Sequence, residues 1–402
     1  MRRICLTVIG LFLLFLRGFS QAPPDSSSYK PRKLRFDEVN LVSSYYVQNG
    51  DHSAIEGGIG SEHVTDLSNG VDIKFVAWDA KQRKNALTAG GGIDYHTAAS
   101  QAWISKTGAS RRTDGLRLYG NLDWARENED KGSSIGAGVY YSNEFNYHSY
   151  GLNGSVSQKT KSNGEFGLKL NAYLDQVTLI LPSEFEPPGA YRVGRNGELR
   201  HPDYGSTGRQ TYTASFSFSQ VINTRLQGSL LLDLVDQQGY LGLPFHRVYF
   251  IDGTDSIEKL PSHRFKVPIG LRVNYFLGDN VILRGYYRYY TDSWGLHSNT
   301  VSIETTVKLS PFVSVTPFYR YYVQTAADYF APYEVHVNTD AYYTSNYALA
   351  AFTSHFFGGG VRLAPPKGIF DKNWKMLEIR YGHYTQTTDL VSDVVSLNLQ
   401  FR

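Results

Sequence analysis

Cysteine is almost absent from this sequence. Cys5 is the only one among the 402 residues, and it lies in an N-terminal segment that we expect to be removed. The rest of the chain therefore has no disulfide, no thiolate metal ligand and no cysteine nucleophile. A chain without cysteine suits an oxidising compartment outside the cytoplasm.

Long apolar runs are missing as well, with one short exception at the N terminus. Arg2 and Arg3 precede an apolar stretch of 13 residues, 4–16, and small residues follow it. Thirteen residues are too few to span a membrane as a helix. Charge, length and small residues together predict a secretory signal peptide over residues 1–20. A buried N-terminal helix is the alternative.

Net charge is small, and the predicted signal peptide accounts for it. The chain has 40 basic and 37 acidic residues, and three of the basic residues, Arg2, Arg3 and Arg17, lie in that peptide. The remaining chain is electrically balanced, with 37 residues of each sign. It therefore offers no electrostatic reason to bind nucleic acid.

Motifs of common enzymes and cofactor sites are absent too. The sequence has no H-E-x-x-H, no C-x-x-C, no P-loop and no complete calcium loop. Residues 132–136 match the G-x-S-x-G nucleophile elbow, but that motif needs a strand, a turn and a helix, and here it opens an alternating strand. We expect neither an enzyme nor a bound cofactor or metal.

Aromatic residues, glycine and strict alternation are what the sequence has in abundance. It contains 30 Tyr, 22 Phe and 38 Gly, and residues 301–310 alternate apolar and polar side chains. Successive side chains of a strand face opposite sides. In a lipid-embedded barrel the apolar face points outward and the polar face lines the lumen. We expect a disordered periplasmic tail at 21–33, rich in Pro and Ser, and a barrel over 34–402.

The lengths of the breaks between alternating segments follow a parity. About sixteen strands are predicted. Breaks after even strands are short, with one longer: 81–85, 128–132, 161–164, 222–224, 277–280, 310–311 and 364–373. Breaks after odd strands are mostly long, namely 49–69, 99–113, 178–207, 237–261 and 326–350, with short ones near residues 147, 293 and 388. This parity is typical of an all-β, antiparallel, up-and-down transmembrane barrel with short periplasmic turns and long extracellular loops.

The last predicted strand carries a signal of its own. Val395, Leu397, Leu399 and Phe401 form an apolar row, followed by Arg402. We expect the barrel-assembly machinery to recognise such a strand and the barrel to reside in the lipid of the cell outer membrane.

Charged residues on the polar phase of the strands are candidates for the lumen lining, because charge on the lipid face would be costly. They are Arg117, Asp123, Lys169, Asp175, Asp233, Arg272, Arg284, Arg288, Glu304, Lys308, Arg320, Glu378 and Arg380. Two interpretations stay open: a water-filled channel with a mixed lining, or a lumen plugged by ion pairs. A barrel of sixteen strands is wide enough for the first.

Aromatic clusters also allow two interpretations. Tyr286, Tyr287, Tyr319 and Tyr321 fall at predicted strand ends, where an aromatic girdle meets the lipid headgroups. A stacking surface for sugars is the alternative there. For the loop aromatics, such as Tyr329, a loop folded over the mouth and a ligand surface fit equally.

Five segments resemble a domain-of-unknown-function family of exported proteins of Gram-negative bacteria. They are 43–66, 108–115, 140–151, 320–330 and 342–347, and they span nearly the whole exported chain. The resemblance implies an outer-membrane barrel, and a role beside an exported, possibly redox, system. It marks as candidates for a mouth site Arg111, Arg112, Asp114, Asp328 and Tyr329. Packing of the loops is the alternative role for these five.

Three functions follow from these observations. The first is a pore or transport protein for small solutes. The second is a plugged structural or binding barrel that holds a periplasmic partner protein. The third, an outer-membrane enzyme, would need a catalytic constellation that the sequence does not offer.

Overall fold

A computed structural model describes residues 31–97, 115–144, 146–186, 192–193, 199–200, 203–370 and 373–402. The predicted signal peptide and most of the predicted tail lie outside these residues. The first strand already begins at Arg32, two residues before the expected start of the barrel.

Sixteen strands form a closed barrel in which every neighbouring pair is antiparallel and follows chain order. Numbered along the chain, they are β1 (Arg32–Asn49), β2 (Val64–Trp78), β3 (Lys84–Thr97), β4 (Gly115–Asn128), β5 (Ser133–Asn143), β6 (Tyr147–Lys159), β7 (Gly164–Thr178), β8 (Ser206–Asn223), β9 (Leu226–Gly239), β10 (His263–Leu277), β11 (Val281–Asp292), β12 (His297–Ser310), β13 (Val313–Gln324), β14 (Phe352–Leu363), β15 (Trp374–Gln386) and β16 (Leu390–Phe401). β16 closes the ring by pairing with β1, from Asn49 opposite Val391 to Val39 opposite Phe401. The predicted up-and-down antiparallel barrel is confirmed.

The strands form because alternating apolar and polar side chains suit a barrel with an apolar exterior and a polar interior. Ile303 on β12 and Leu152 on β6 are 54% and 61% exposed on the outer phase, whereas the polar neighbours of these residues take the inner phase. Each strand pairs with a neighbour on both sides in the closed ring, which suits a chain in hydrocarbon. Among the described residues, no helix is long and apolar enough to cross a membrane.

The two ends of the barrel differ as the parity predicted. At the turn end the connections are 79–83, 129–132, 160–163, 224–225, 278–280, 311–312 and 364–373. At the loop end the long connections that join described strands are 50–63, 98–114, 179–205, 240–262 and 325–351, and the short ones are 144–146, 293–296 and 387–389. One boundary was wrong. β2 begins at Val64 rather than near residue 69, because Thr65 and Leu67 pair with Thr97 and Tyr95 of β3.

The buried hydrophobic cluster of the described residues lies in the loops at one end of the barrel. Trp294, Leu296 and Ala327 are buried at the loop end. Partly buried side chains from the long loops pack against them, among them Leu241, Leu260, Tyr329 and Leu349. The long loops are therefore folded onto the rim of the barrel.

Candidate functional site: the lumen and its covered mouth

The thirteen predicted lumen residues all lie in barrel strands, on the phase opposite to the exposed apolar side chains. β4 shows the rule: Leu116 and Leu118 are exposed on the outer phase, so Arg117 between them takes the inner phase. The phase follows from alternation alone.

Four of the thirteen residues meet in one cluster around Glu304 of β12. Its carboxylate accepts hydrogen bonds from Arg284 Nη1 at 2.5 Å and from Arg380 Nη2 at 2.8 Å. Arg380 also donates from Nη1 to Glu378 at 3.3 Å. Arg284 belongs to the neighbouring strand β11, but Arg380 belongs to β15, three strands away. The cluster thus ties three strands of one wall together, β11, β12 and β15.

Two glycines of β14 allow Arg380 to reach so far along the wall. Gly358 pairs with Phe318 and Gly382 on its two sides, and Gly360 pairs with Arg380 itself. A Cβ on Gly360 would lie 2.8 Å from Cγ of Arg380, and a Cβ on Gly358 would collide with the backbone carbonyl of residue 381. Only glycine at these two positions leaves the inner face of β14 free for the Arg380 side chain. We call Gly358 and Gly360 the glycine floor.

Beside the cluster is a recess of about 260 Å³. Aromatic rings and arginines alternate around it: the Arg320 guanidinium lies 4.8 Å from the Phe356 ring centre, and that of Arg380 lies 5.2 Å from the Phe318 ring centre. Ser302 and Ser396 complete its polar side. A recess of this composition can hold an anionic group against a planar apolar one.

Other predicted residues pair with side chains that the prediction did not include. Arg117 Nη1 lies 3.4 Å from Asp94 of β3, and Arg209 of β8 donates from Nε to Asp175 at 2.8 Å. Asp123 accepts amide hydrogen bonds instead, from Asn121 at 2.7 Å and Asn153 at 3.1 Å. Asp94 and Arg209 also take the inner phase, so the same rule applied to every strand would have found them.

The remaining predicted lumen residues have no oppositely charged side chain within 4.0 Å among the described residues. They are Lys169, Asp233, Arg272, Arg288, Lys308 and Arg320. Arg362 of β14, which the prediction did not include, likewise has no carboxylate within 4.0 Å among the described residues.

Loops from opposite sides of the barrel meet over its mouth. We call residues 50–63, 240–262 and 325–351 the loop cover. Arg247, which is 1% exposed, donates from Nη1 to the carbonyl oxygen of Ile55 at 2.7 Å and from Nε to Glu184. Because β1 and β2 stand opposite β9 and β10 in the ring, the contact between Arg247 and Ile55 crosses the opening.

A second set of contacts joins loop 240–262 to loop 325–351. Lys259 and Tyr343 exchange backbone hydrogen bonds of 3.1 and 2.8 Å, and Ile251 N donates to His336 O at 2.9 Å. The hydroxyl of Thr344 donates to buried Glu258 at 2.5 Å. The loop cover is therefore one folded unit, built from segments far apart in the sequence.

The pKa values of two carboxylates of the loop cover, buried Glu258 and half-buried Glu62, are shifted in opposite directions. Burial alone would raise the pKa of Glu258, but nearby His246, the Thr344 hydroxyl and the Leu243 amide together lower it below its ordinary value. Burial raises the pKa of Glu62, and the nearby histidines only partly offset that effect. Glu258 is therefore held as the anion, whereas the fold disfavours the charged form of Glu62.

The predicted mouth residues that can be placed, Asp328 and Tyr329, contact other loop residues. The backbone N–H of Asp328 donates to Trp294 O at 2.8 Å, and Tyr329 packs edge-on against Trp294 and Tyr342, with centroids 6.0 and 5.5 Å away. Arg111, Arg112 and Asp114 lie outside the described residues. Arg247 and Glu258, which organise the loop cover, were missed, because nothing in a loop sequence shows which distant loop it will meet.

No metal site is evident in the part of the chain that the structure describes, since no group of three or more His, Cys, Asp or Glu is placed to hold an ion there.

Solved structures that align with this chain include a secretin, a channel and a porin. A bacterial polysaccharide outer membrane secretin aligns at a TM-score of 0.45 and 12% identity, covering 90% of this chain and 98% of its own. A TodX mutant monoaromatic hydrocarbon channel aligns at 0.44 and 11%, covering 92% and 90%. A BenF-like porin from Pseudomonas fluorescens Pf-5 aligns at 0.41 and 7%, covering 92% and 98%. Similarity at this level identifies no solute, partner or mechanism.

No curated protein matches the sequence. One family model does, over residues 76–393, which is most of the barrel. The chain belongs to the family described as "Protein of unknown function (DUF3570)".

Proposed function

We propose that this protein is an outer-membrane channel for small solutes whose external mouth is covered by folded loops. The exposed apolar phase of the strands fits a lipid environment, and the predicted signal peptide fits export. Sixteen strands enclose an interior wide enough for water and small solutes.

One observation carries the proposal: charged side chains line the lumen without cross-linking it. A plugged barrel would need ion pairs between opposite walls. Among the described residues, each ion pair between barrel strands follows one wall instead, as Arg117 with Asp94 of the next strand and Arg380 with Glu304 three strands away. Unpaired charges in an apolar or dry interior would be costly, so they favour a lumen filled with water.

The loop cover supports a second candidate, a closed barrel that binds a partner protein. Contacts such as that of Arg247 with Ile55 cross the mouth. If they persist in the membrane, the barrel does not conduct and would serve as the outer-membrane partner of an exported system.

Conductance in a planar bilayer separates the two candidates. The purified protein would be compared with a variant in which residues 243–259 are replaced by a short Gly-Ser linker, which removes Arg247 and Glu258 and leaves every barrel strand intact. Gel mobility before and after heating would establish that both are folded. Stepwise currents from either protein support a channel, and larger steps from the variant show that the loop cover restricts it. Silence from both folded proteins contradicts the channel and favours the partner-binding barrel.

A further inference from the structure

Positive charge is concentrated on one wall of the lumen. We infer that this wall forms a basic track, composed of Arg272, Arg288, Lys308, Arg320 and Arg362, that draws small organic carboxylates through the barrel. The inference rests on the proposed channel function and adds the class of solute.

The strand register orders the track along the barrel. Arg288 of β11 lies opposite Thr300 of β12, near mid-depth. Arg272 and Arg320 lie closer to the turn end along the strands and share one register level, since Arg272 pairs with Tyr286 and Arg320 pairs with Ser302, which faces the same tyrosine.

The track continues to the turn end of the barrel. Lys308 and Arg362 share one register level near that end, because both pair with Ser314. The five cations therefore follow the strand register of β10 to β14 from the middle of the strands to the turn end.

Carboxylates on the same wall do not neutralise the track. Glu304 and Glu378 are engaged by Arg284 and Arg380 at 2.5 to 3.3 Å. Asp292, at the loop end of β11, is engaged by Arg264. No carboxylate of the described residues lies within 4.0 Å of the five track cations, so their charge is available to a solute.

The facing wall does not repeat this pattern. In the ring, β10 to β14 stand opposite β2 to β6. On β2 and β4, Asp72 and Asp123 have no cation within 4.0 Å among the described residues, and on β3 Lys84 is likewise unpaired with a carboxylate. The facing wall is thus mixed in sign, and the resulting field points an anion toward the track.

Aromatic rings beneath the arginines favour organic anions over bare halide. The guanidinium of Arg272 lies 5.7 Å from the ring centre of Tyr286, that of Arg288 lies 5.9 Å from Tyr290, and that of Arg320 lies 4.8 Å from Phe356. A guanidinium held over a ring keeps its N–H edge free for a carboxylate, which it binds with two hydrogen bonds. The exposed parts of the rings offer apolar contact to the rest of the solute.

Ion selectivity and block test the track. The reversal potential would be measured in a KCl gradient, with benzoate as the carboxylate probe and inorganic phosphate as a second anion. Three proteins would be compared: the parent, the double variant Arg272→Gln/Arg320→Gln, and the control Lys84→Gln/Lys169→Gln, which removes the same charge from strands β3 and β7. If the parent is silent, the three are compared in the background of the 243–259 replacement.

The parent is expected to prefer chloride over potassium, and benzoate is expected to reduce the chloride current. The track variant should lower the chloride preference by at least about twofold and weaken the benzoate block, with a smaller change in the control. Cation preference in the parent, or equal effects of the two double variants, would overturn the basic track. Block by phosphate and not by benzoate would overturn the carboxylate class. Absence of current in every folded protein would instead refute the channel itself.

Discussion

The guanidinium of Arg247 donates a hydrogen bond of 2.7 Å to the carbonyl oxygen of Ile55, a residue 192 positions earlier in the chain. The two residues belong to loops that leave the barrel from opposite sides, so this single bond spans the mouth. Arg247 is also paired with Glu184 and is almost fully buried. Its side chain therefore joins three loops at one point.

Arg247→Ala should open the loop cover without unfolding the barrel. Losing the charged hydrogen bonds of Arg247 should cost about 2 kcal/mol of local stability, or roughly a 30-fold rise in the open population. Chymotrypsin cleavage near Tyr249 and Phe250 should accelerate accordingly, while the heat-modifiable mobility of the barrel stays the same. Arg225→Ala, in the exposed turn between β8 and β9, is the matched control. Equal cleavage rates for the parent and Arg247→Ala would contradict this role.

The loop cover should loosen in acid through Glu258. The pKa of Glu258 is lowered in the folded state from an ordinary value of 4.5, so its charge stabilises the fold above pH 4.5 and that contribution is lost as the pH falls through the folded value. Hydrogen exchange of the segment 243–259, corrected for the intrinsic rate, should show protection falling in this range. Glu258→Gln should lower protection at pH 7 and reduce its dependence on pH.

Glu62→Gln is the control for that experiment, because its effect on the stability of the loop cover should have the opposite sign. Burial raises the pKa of Glu62, so its ionised form costs stability at neutral pH. The neutral glutamine should leave protection at pH 7 unchanged or higher. Loss of protection in both variants would show that the loop cover needs both acceptor oxygens of these carboxylates, of which glutamine keeps one, rather than their charge.

The barrel could be predicted from the sequence, because its rules are local. Alternation in segments such as 301–310 gives strand and phase together, and the parity of break lengths gives the antiparallel order. For the cluster of Arg284 and Arg380 around Glu304, the sequence predicts only that the three side chains lie on the inner phase. Its assembly depends on strand register and on the glycine floor of β14, which single strands do not show. Contacts of Arg247 in the loop cover follow no periodicity, so no sequence rule indicated them.

Gly358→Ala tests the glycine floor. A Cβ at this position would collide with the backbone of residue 381, so the wall must shift and the cluster around Glu304 with it. Overpacking of this kind costs about 1–3 kcal/mol. The temperature at which the folded gel band disappears should fall. Gly359→Ala is the control, because its Cβ would take the outer phase with its nearest neighbour at 3.7 Å. A lowered temperature for both variants would mean that β14 tolerates no side chain on either face.

Substitution of Phe401 tests whether this ring is needed for assembly of the barrel in cells rather than for stability of the folded barrel. Its ring lies on the outer phase of β16, 5.7 Å from the ring centre of Trp374 and 6.1 Å from that of Phe36. If the assembly machinery reads this strand, Phe401→Ala should strongly reduce folded protein in cell membranes, while refolding in detergent changes little. Phe370→Ala, which removes another exposed ring beside Trp374 outside the last strand, is the control. Equal losses in cells from the two variants would contradict recognition of the terminal aromatic.

Adjacent positions of β7 test which face of the barrel meets lipid. Leu170 is 52% exposed on the outer phase, and Asn171 follows on the inner phase, both near the middle of the strand. Arginine on the lipid face near the midplane costs about 2–4 kcal/mol, whereas a wet lumen solvates it. Leu170→Arg should therefore lower the denaturant midpoint of the barrel in lipid vesicles much more than Asn171→Arg does. In a soluble barrel with an apolar interior the order would reverse, because the inner arginine would then be the one without water. This pair of variants therefore distinguishes a membrane barrel from a soluble one.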